Sequence, residues 1–273
     1  MKKLHTSVAL AALAAIFLAA PAVAADVEAP IPEALNWTAF HIGIGGGGNF
    51  AFVQEDANAF VNDNFDGDTE EAFGEHKADL GDAGWMGTIE AGFDYQIDSV
   101  VIGILANYDF GKTSMKNKSN TVVLDTNNIN NTIFDSNATF ETKWEIGDSW
   151  AIGARLGFLA MDNALIYVLG GYTEAKVKSE LTLSDDDGEF KFHTSDSSWE
   201  DGWFVGGGIE ALLTQNISLK AEYRFNDYGS VDRSDSETNF VANANSSFGT
   251  GKQDGDVTVH SVRAVLSYRF GLF

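Results

Sequence analysis

The sequence predicts an eight-stranded antiparallel up-and-down transmembrane β-barrel with four long external loops. From residue 37 onward the apolar residues recur at every second position, in segments that suit the roughly 9 to 11 residues of a tilted membrane strand. The connections alternate between tight turns and long polar stretches. Beyond the N-terminal region no apolar run approaches the roughly 18 to 20 residues of a spanning helix, which excludes a helical membrane protein.

Eight segments carry the alternating pattern. They are residues 37–48, 84–96, 100–110, 149–159, 164–177, 202–214, 217–227 and 256–270. Tight turns follow the second, fourth and sixth segments. Long polar connections follow the first, third, fifth and seventh, at residues 49–83, 111–148, 178–201 and 228–255. Because outer-membrane barrels have short periplasmic turns and longer external loops, this asymmetry places the four long connections outside.

The N-terminal residues have the features of a secretory signal peptide. Lys2 and Lys3 form a basic start, residues 8–20 are apolar, and Ala22-Val23-Ala24 is a small-residue cleavage site. The predicted organisation is a signal peptide at 1–24, a periplasmic N-terminal segment at 25–36 and the barrel at 37–273. The protein is therefore expected to be exported to the bacterial outer membrane.

Charge and composition exclude several classes of protein. Forty acidic and 17 basic residues give a net charge of −23, which repels nucleic-acid phosphates and anionic headgroups at long range. The four long connections carry 18 of these 23 net negative charges, whereas the strands are close to neutral. The absence of cysteine excludes disulfides and cysteine-ligated zinc.

Within the strands, charged residues occupy one face and apolar residues the other. A soluble barrel would bury the apolar face, but the one-sided loops and the aromatic residues near strand ends favour apolar residues facing lipid. Eight strands leave an interior only wide enough for side chains to fill, so opposite charges there are expected to pair. This interpretation is preferred over a small pore or a catalytic cluster. The predicted interior ion-pair network is Glu90, Arg155, Glu210, Lys220, Glu222, Arg224 and Arg263.

Two stretches resemble ligand-binding motifs but lack features that those motifs require. Gly43-x-Gly45-x-x-Gly48 matches a dinucleotide fingerprint but lies within the first strand, where glycines allow close packing across a narrow barrel. The stretch beginning at Asn62 resembles an EF-hand loop, but Phe73 replaces the bidentate glutamate. The remaining hypothesis is weak, dispersed binding of divalent cations by acidic loop residues. The candidates are Asp66, Asp68, Glu70, Glu71, Asp185, Asp186 and Asp187.

The most specific resemblance is in the sixth and seventh segments. Residues 202–210 (GWFVGGGIE) and 216–229 (NISLKAEYRFNDYG) resemble the alphaproteobacterial outer-membrane immunogenic protein family, which comprises small surface barrels similar in architecture to opacity proteins and the OmpA membrane domain. The resemblance implies an eight-stranded barrel and a surface antigen that supports envelope integrity, with host contact or haemin binding in some members. The sequence departs from the family at two points. Leu105 replaces an inward glutamate of the family. Phe270, but not the terminal Phe273, lies on the same face of the last strand as Tyr268.

These observations favour a structural surface barrel with no enzymatic reaction and no cofactor. Two alternatives are a haemin or other ligand receptor, with His76 and His193 as candidate ligands, and a small-conductance pore. The expected partners are outer-membrane lipid, lipopolysaccharide and a host or envelope molecule that contacts the loops. Nucleic acid is not expected, and the barrel is predicted to be a monomer.

Overall fold

The computed structural model describes residues 35–65, 68–125, 137–185, 191–235 and 248–271. The predicted signal peptide and most of the predicted periplasmic segment lie outside these residues. Among the described residues, no helix is long and apolar enough to cross a membrane. The strands are β1 (Ala39–Phe65), β2 (Asp68–Ile97), β3 (Val100–Asp125), β4 (Asn137–Met161), β5 (Ala164–Asp185), β6 (Lys191–Leu212), β7 (Ile217–Asp235) and β8 (Phe248–Gly271).

Each strand pairs antiparallel with its neighbour in the sequence, and β8 pairs with β1 to close the ring. The predicted eight-stranded up-and-down barrel is confirmed. The turns after β2, β4 and β6 are short, as the sequence indicates.

The described strands are much longer than the sequence pattern indicated. They contain 19 to 30 residues and continue through most of the segments that were predicted to be loops. In β1, Ala51, Val53 and Ala57 are buried, while the intervening Gln54 and Asp56 are exposed. The alternation therefore continues after the exterior residues have become polar. The boundaries predicted from exterior apolarity marked the edge of the membrane, not the ends of the strands.

The membrane-spanning part has an apolar exterior and a polar interior. On β4, Ile152, Leu156 and Phe158 are each more than half exposed, whereas Arg155 is 2% exposed. On β7, Leu219 faces outward while its neighbour Lys220 is buried. These observations place the two faces of the strands as the sequence predicted.

Above the membrane the barrel wall divides into two sheets. The pairing of β2 with β3 is interrupted between Ala72 and Trp85, and the pairing of β6 with β7 extends no higher than Trp203 and Asp227. All other neighbours stay paired along the extension. Over most of its height the external part therefore consists of one sheet made by β3–β6 and a second made by β7, β8, β1 and β2, and β2 and β3 pair again at residues 70–72.

The two external sheets pack face to face around an apolar core. The second sheet contributes Ala51, Val53, Tyr228, Val231, Val257 and Val259, and the first contributes Met115, Trp144, Ile146, Ala175 and Val177. The external part is thus apolar inside and polar outside, the reverse of the membrane part. Side-chain alternation is the same in both parts, but the surroundings change from lipid to water.

A buried carboxylate joins the two sheets. Glu55 on β1 is 4% exposed. Its oxygens accept hydrogen bonds from Thr142 Oγ1 (2.8 Å) and Trp144 Nε1 (3.1 Å) on β4, and from Gln253 Nε2 (2.7 Å) on β8. Since a buried polar group without a partner is costly, these neutral donors fix the position of Glu55 and the spacing of the sheets.

Glycines on β1 allow close packing against β8. A Cβ atom on Gly45 or Gly47 would lie 2.1 Å and 1.9 Å from the carbonyl oxygens of Ala264 and Val262, respectively. Such distances are far below van der Waals contact. The glycine-rich motif therefore serves close strand packing, and no helix follows it.

Candidate functional site: the barrel interior and the external extension

Ten charged side chains fill the membrane-spanning interior, and none is more than 8% exposed. Five are carboxylates and five are cationic, so the described interior charges balance. They include all seven residues of the predicted network and three more. The ten are Glu90, Asp94, Asp109, Glu210, Glu222, Arg155, Lys220, Arg224, Arg263 and Arg269.

At the periplasmic end, two arginines bridge two carboxylates. Arg155 binds Asp94 through two hydrogen bonds (2.8 and 2.5 Å) and Glu210 through one (2.7 Å). Arg269 contacts the same two carboxylates at 3.0 and 3.2 Å. Arg269 also donates to the backbone oxygen of Trp37, whose ring lies 5.0 Å from the guanidinium carbon. Trp37 is fully buried and closes this end of the barrel.

The middle of the interior contains a compact ion pair. Lys220 Nζ on β7 lies 2.5 Å from both carboxylate oxygens of Glu90 on β2. The next cation, Arg224, is 3.9 Å from Glu90. Lys220 is therefore the principal partner of the Glu90 charge.

Toward the external side, Glu222 accepts hydrogen bonds from Arg224 Nε (2.5 Å) and the Tyr167 hydroxyl (2.8 Å). Arg263 binds Asp109 at 3.1 Å and lies 3.8 Å from Glu222. Each ion in this level has a counter-ion, which offsets the cost of burial.

Sequence reasoning missed Asp94, Asp109 and Arg269 as members of the network. A signal was present for each, because Asp94 lies on the same strand face as Glu90, Asp109 on the same face as Leu105, and Arg269 on the same face as Arg263. Parity along a strand identifies an inward position, but it does not identify the partner across the barrel.

Part of the interior is apolar. Leu105 is 3% exposed and packs with Val101, Leu165, Leu169 and Phe204. The Phe204 ring lies 4.7 Å from the guanidinium carbon of the buried Arg224. Leu105 thus contributes to an apolar wall beside the ion pairs.

The predicted haemin ligands are not brought together. Residue 76 is paired with Ala57 in the β1–β2 ladder, whereas residue 193 is paired with Thr182 in the β5–β6 ladder. His193 is exposed, and its Nδ1 lies 2.9 Å from the Thr182 hydroxyl. The side chain of His76 is outside the described part.

The predicted divalent-cation residues lie largely beyond what the structure describes. Asp66, Asp186 and Asp187 are outside the described residues. Asp68, Glu70, Glu71 and Asp185 lie on described strands, but their side chains are outside the described part. Among the described side chains, no group of three or more acidic or histidine residues could hold a metal ion.

Exterior charges of the extension are arranged in ion pairs above the membrane. The hydrogen bond from Lys178 lowers the pKa of Glu180 below its ordinary value of 4.5, and Lys143 acts in the same direction. Partial burial alone would raise the pKa of Glu145, but hydrogen bonds and charge attraction from Lys112 and Lys143 lower it. These carboxylates therefore stabilise the extension in their ionised form.

Acidification is expected to remove the contribution of Glu180 to the free energy of unfolding. A carboxylate with a lowered folded-state pKa stabilises the protein above its unfolded-state pKa, and the contribution is lost as pH falls through the folded-state value. The difference in unfolding free energy between the native protein and Glu180→Gln should be present at neutral pH and disappear well below pH 4.5. Urea unfolding in micelles across this pH range measures it. A difference that grows on acidification would contradict the assigned role.

The closed ring, the apolar exterior band and the buried, charge-balanced interior define a small transmembrane β-barrel of the outer-membrane type. Comparison with known proteins agrees. The chain belongs to the outer membrane protein beta-barrel domain family, whose model matches residues 9–270. The protein is therefore an outer-membrane protein in an environment of lipid and lipopolysaccharide.

Relatives support the same assignment. The chain is 30% identical over 275 residues to the 31 kDa outer-membrane immunogenic protein of Brucella melitensis, covering 97% of this chain and 99% of the relative. It is 25% identical to a 22 kDa outer membrane protein of Rhizobium leguminosarum, over 75% of this chain and 71% of the relative. The resemblance seen in the sequence is confirmed. Among solved structures, OprG of Pseudomonas aeruginosa is similar with a TM-score of 0.39 and 14% identity, over 88% of this chain and 100% of OprG.

Proposed function

We propose that the protein is a non-conducting structural barrel that holds its two-sheet extension at the cell surface. The observation that carries this proposal is the burial of all ten described interior charges. A water-filled channel would leave its lining side chains accessible to solvent, whereas these side chains contact one another. The interior therefore stabilises the barrel and does not conduct.

The same observation argues against catalysis in the interior. A general acid or base must come within hydrogen-bond reach of the substrate. The interior carboxylates are buried and already bound to cations. The proposal accordingly assigns no reaction to the barrel.

The proposal includes export by a signal peptide at residues 1–24 and a periplasmic segment at 25–36. It also includes a monomeric barrel that contacts a host or envelope partner through the extension. The description of the Brucella relative as immunogenic supports surface exposure.

Single-cysteine labelling of intact cells tests the surface position. The native chain has no cysteine, so each introduced thiol is unique. Ser197→Cys on the exterior of the extension should react with a maleimide attached to a large polymer that cannot cross the outer membrane. Asn163→Cys in a periplasmic turn should react only after the outer membrane is permeabilised. The reverse pattern would invert the topology and overturn the proposal.

Planar-bilayer recordings test the closed interior. The native protein should give no steady conductance steps. As an accessibility control, Ser261→Cys, at a position that is 0% exposed in the interior, should stay unlabelled by a small maleimide until the barrel is unfolded. Steady conductance, or rapid labelling of this cysteine in the folded barrel, would favour the pore hypothesis.

A further inference from the structure

The exteriors of the two external sheets carry different charges. On β7, β8, β1 and β2 the described exterior charges are mainly aspartates, with two lysines that pair with Asp56 and Asp254. The exterior aspartates include Asp56, Asp79, Asp232, Asp254 and Asp256. On β3, β4 and β5 the described exterior carries six lysines and five carboxylates, which are Glu141, Glu145, Asp148, Glu174 and Glu180. The lysines are Lys112, Lys116, Lys118, Lys143, Lys176 and Lys178, and we call this surface the lysine face.

Part of the lysine face is not neutralised by neighbouring carboxylates. Lys118 pairs with Glu141 at 2.8 Å, and Lys112 pairs with Glu145 at 2.6 Å. Lys143 and Lys178 share Glu180, while Lys143 also lies 3.5 Å from Glu145. Among the described residues, no carboxylate lies within ion-pair distance of Lys116 or Lys176.

The register of the strands brings two of these cations together. Lys116 on β3 lies directly opposite Lys143 on β4. Like charges at directly opposite positions destabilise a sheet. Ser114, also on the exterior, lies between Lys112 and Lys116 on β3. An anion at this position would relieve the repulsion and could accept hydrogen bonds from ammonium and hydroxyl groups.

Aromatic residues fix the height of the lysine face relative to the membrane. The Trp150 and Tyr172 rings lie 5.6 Å apart at the upper edge of the apolar band, and both donate to Glu174. Aromatic girdles of this kind mark the membrane interface. Lys112 follows exposed Phe110 by two residues, about 7 Å along the strand, and Lys116 is about 20 Å from Phe110.

We propose that the lysine face is a docking surface for the phosphate groups of lipopolysaccharide in the outer leaflet. These phosphates lie on the lipid A sugars, near the level of the aromatic girdle and Lys112, and on the inner-core sugars, which extend further from the membrane toward Lys116. Cationic side chains close to an anionic membrane surface attract it over about one Debye length. The net charge of −23 predicts repulsion at long range, but on this side six lysines against five described carboxylates leave a slightly positive local charge.

The proposal rests on the outer-membrane location and is independent of whether the interior conducts. It also implies that one side of the barrel binds lipopolysaccharide more readily than the other. Lipopolysaccharide would pack against β3–β5, while the aspartate-bearing side would bind it less readily. A lateral asymmetry of this kind does not follow from the closed ring of strands in the membrane part.

Binding of lipid A to the folded barrel tests the proposal. The variant Lys116→Gln/Lys176→Gln removes the two lysines without a described carboxylate partner. The matched control Lys77→Gln/Lys252→Gln makes the same charge change on the other sheet, where both lysines are paired. Affinity for bisphosphorylated lipid A in neutral-detergent micelles is measured in metal-free buffer at physiological ionic strength. Gel mobility before and after boiling verifies that each variant is folded.

The first variant is expected to bind bisphosphorylated lipid A about tenfold more weakly, since each lysine near an anionic surface contributes severalfold to binding. The control should stay within about twofold of the native protein, and dephosphorylated lipid A should bind all three proteins weakly and equally. Equal losses in both variants, or no loss in either, would overturn the proposal. If dephosphorylated lipid A bound the native protein as tightly as bisphosphorylated lipid A, the contact would belong to the acyl chains and the proposal would be overturned. Tighter binding of a soluble sulfated glycan than of lipid A would assign the face to a different partner.

Discussion

Replacing Lys220 with Met is expected to lower the free energy of unfolding by about 3–5 kcal/mol. The change keeps most of the side-chain volume but leaves the carboxylate of Glu90 buried without its principal counter-ion. Removing one partner of a buried ion pair is costly because the remaining charge is uncompensated. Denaturant titration of the folded barrel in micelles, followed by gel mobility, measures the loss.

A second variant separates the charge effect from a packing effect. In Lys220→Met/Glu90→Gln both charges are absent, so the double variant should be considerably more stable than the single one. Lys176→Met, on the exterior above the membrane, should change stability by no more than about 0.5 kcal/mol. If the single and double variants are equally destabilised, Lys220 acts through packing and not through its charge.

Placing Arg at position 104 should destabilise the barrel or block its assembly. Ile104 is 63% exposed and lies near the middle of the apolar band of β3. An arginine at the bilayer midplane of a barrel costs about 2–4 kcal/mol because its charge leaves water for hydrocarbon. Folding into lipid vesicles, measured by heat-modifiable gel mobility, reports the effect.

The matched control is Ser114→Arg. Position 114 is on the same strand and the same face, ten residues higher, and its cross-strand partner is Glu145. An arginine there would remain in water and could pair with this carboxylate, so little change in stability is expected. Equal effects at the two positions would show that the membrane boundary on β3 is not between them.

The alternating pattern was sufficient to predict the membrane part of the barrel. Successive side chains of a strand point to opposite faces, so Arg155 lies on the face opposite to Ile152 and Leu156. Once the exterior is known to be lipid, this identifies the inward face. The same reasoning would have extended the network to Asp94 and Arg269. Sequence could not establish that Arg155 bridges Asp94 and Glu210, since these residues lie on strands far apart in the chain.

The extension was mistaken for loops because its exterior is hydrophilic. In β1, Val53 and Ala57 keep the inward period while the positions between them become polar. This is the pattern of a soluble sheet, and it was obscured by the high density of acidic residues in residues 49–83. The division into two sheets depends on where the β2–β3 and β6–β7 ladders separate.

By itself the sequence determined the number of strands, their order, the faces of the membrane part and the family, because these depend on local alternation, turn length and segments that resemble the family, such as residues 202–210. Only the tertiary structure decided how the interior charges pair, how Glu55 joins two external sheets, and that six lysines share one side of the molecule. The physical reason is that alternation assigns a side chain to a face, whereas the closure and register of the barrel determine which distant side chains meet there.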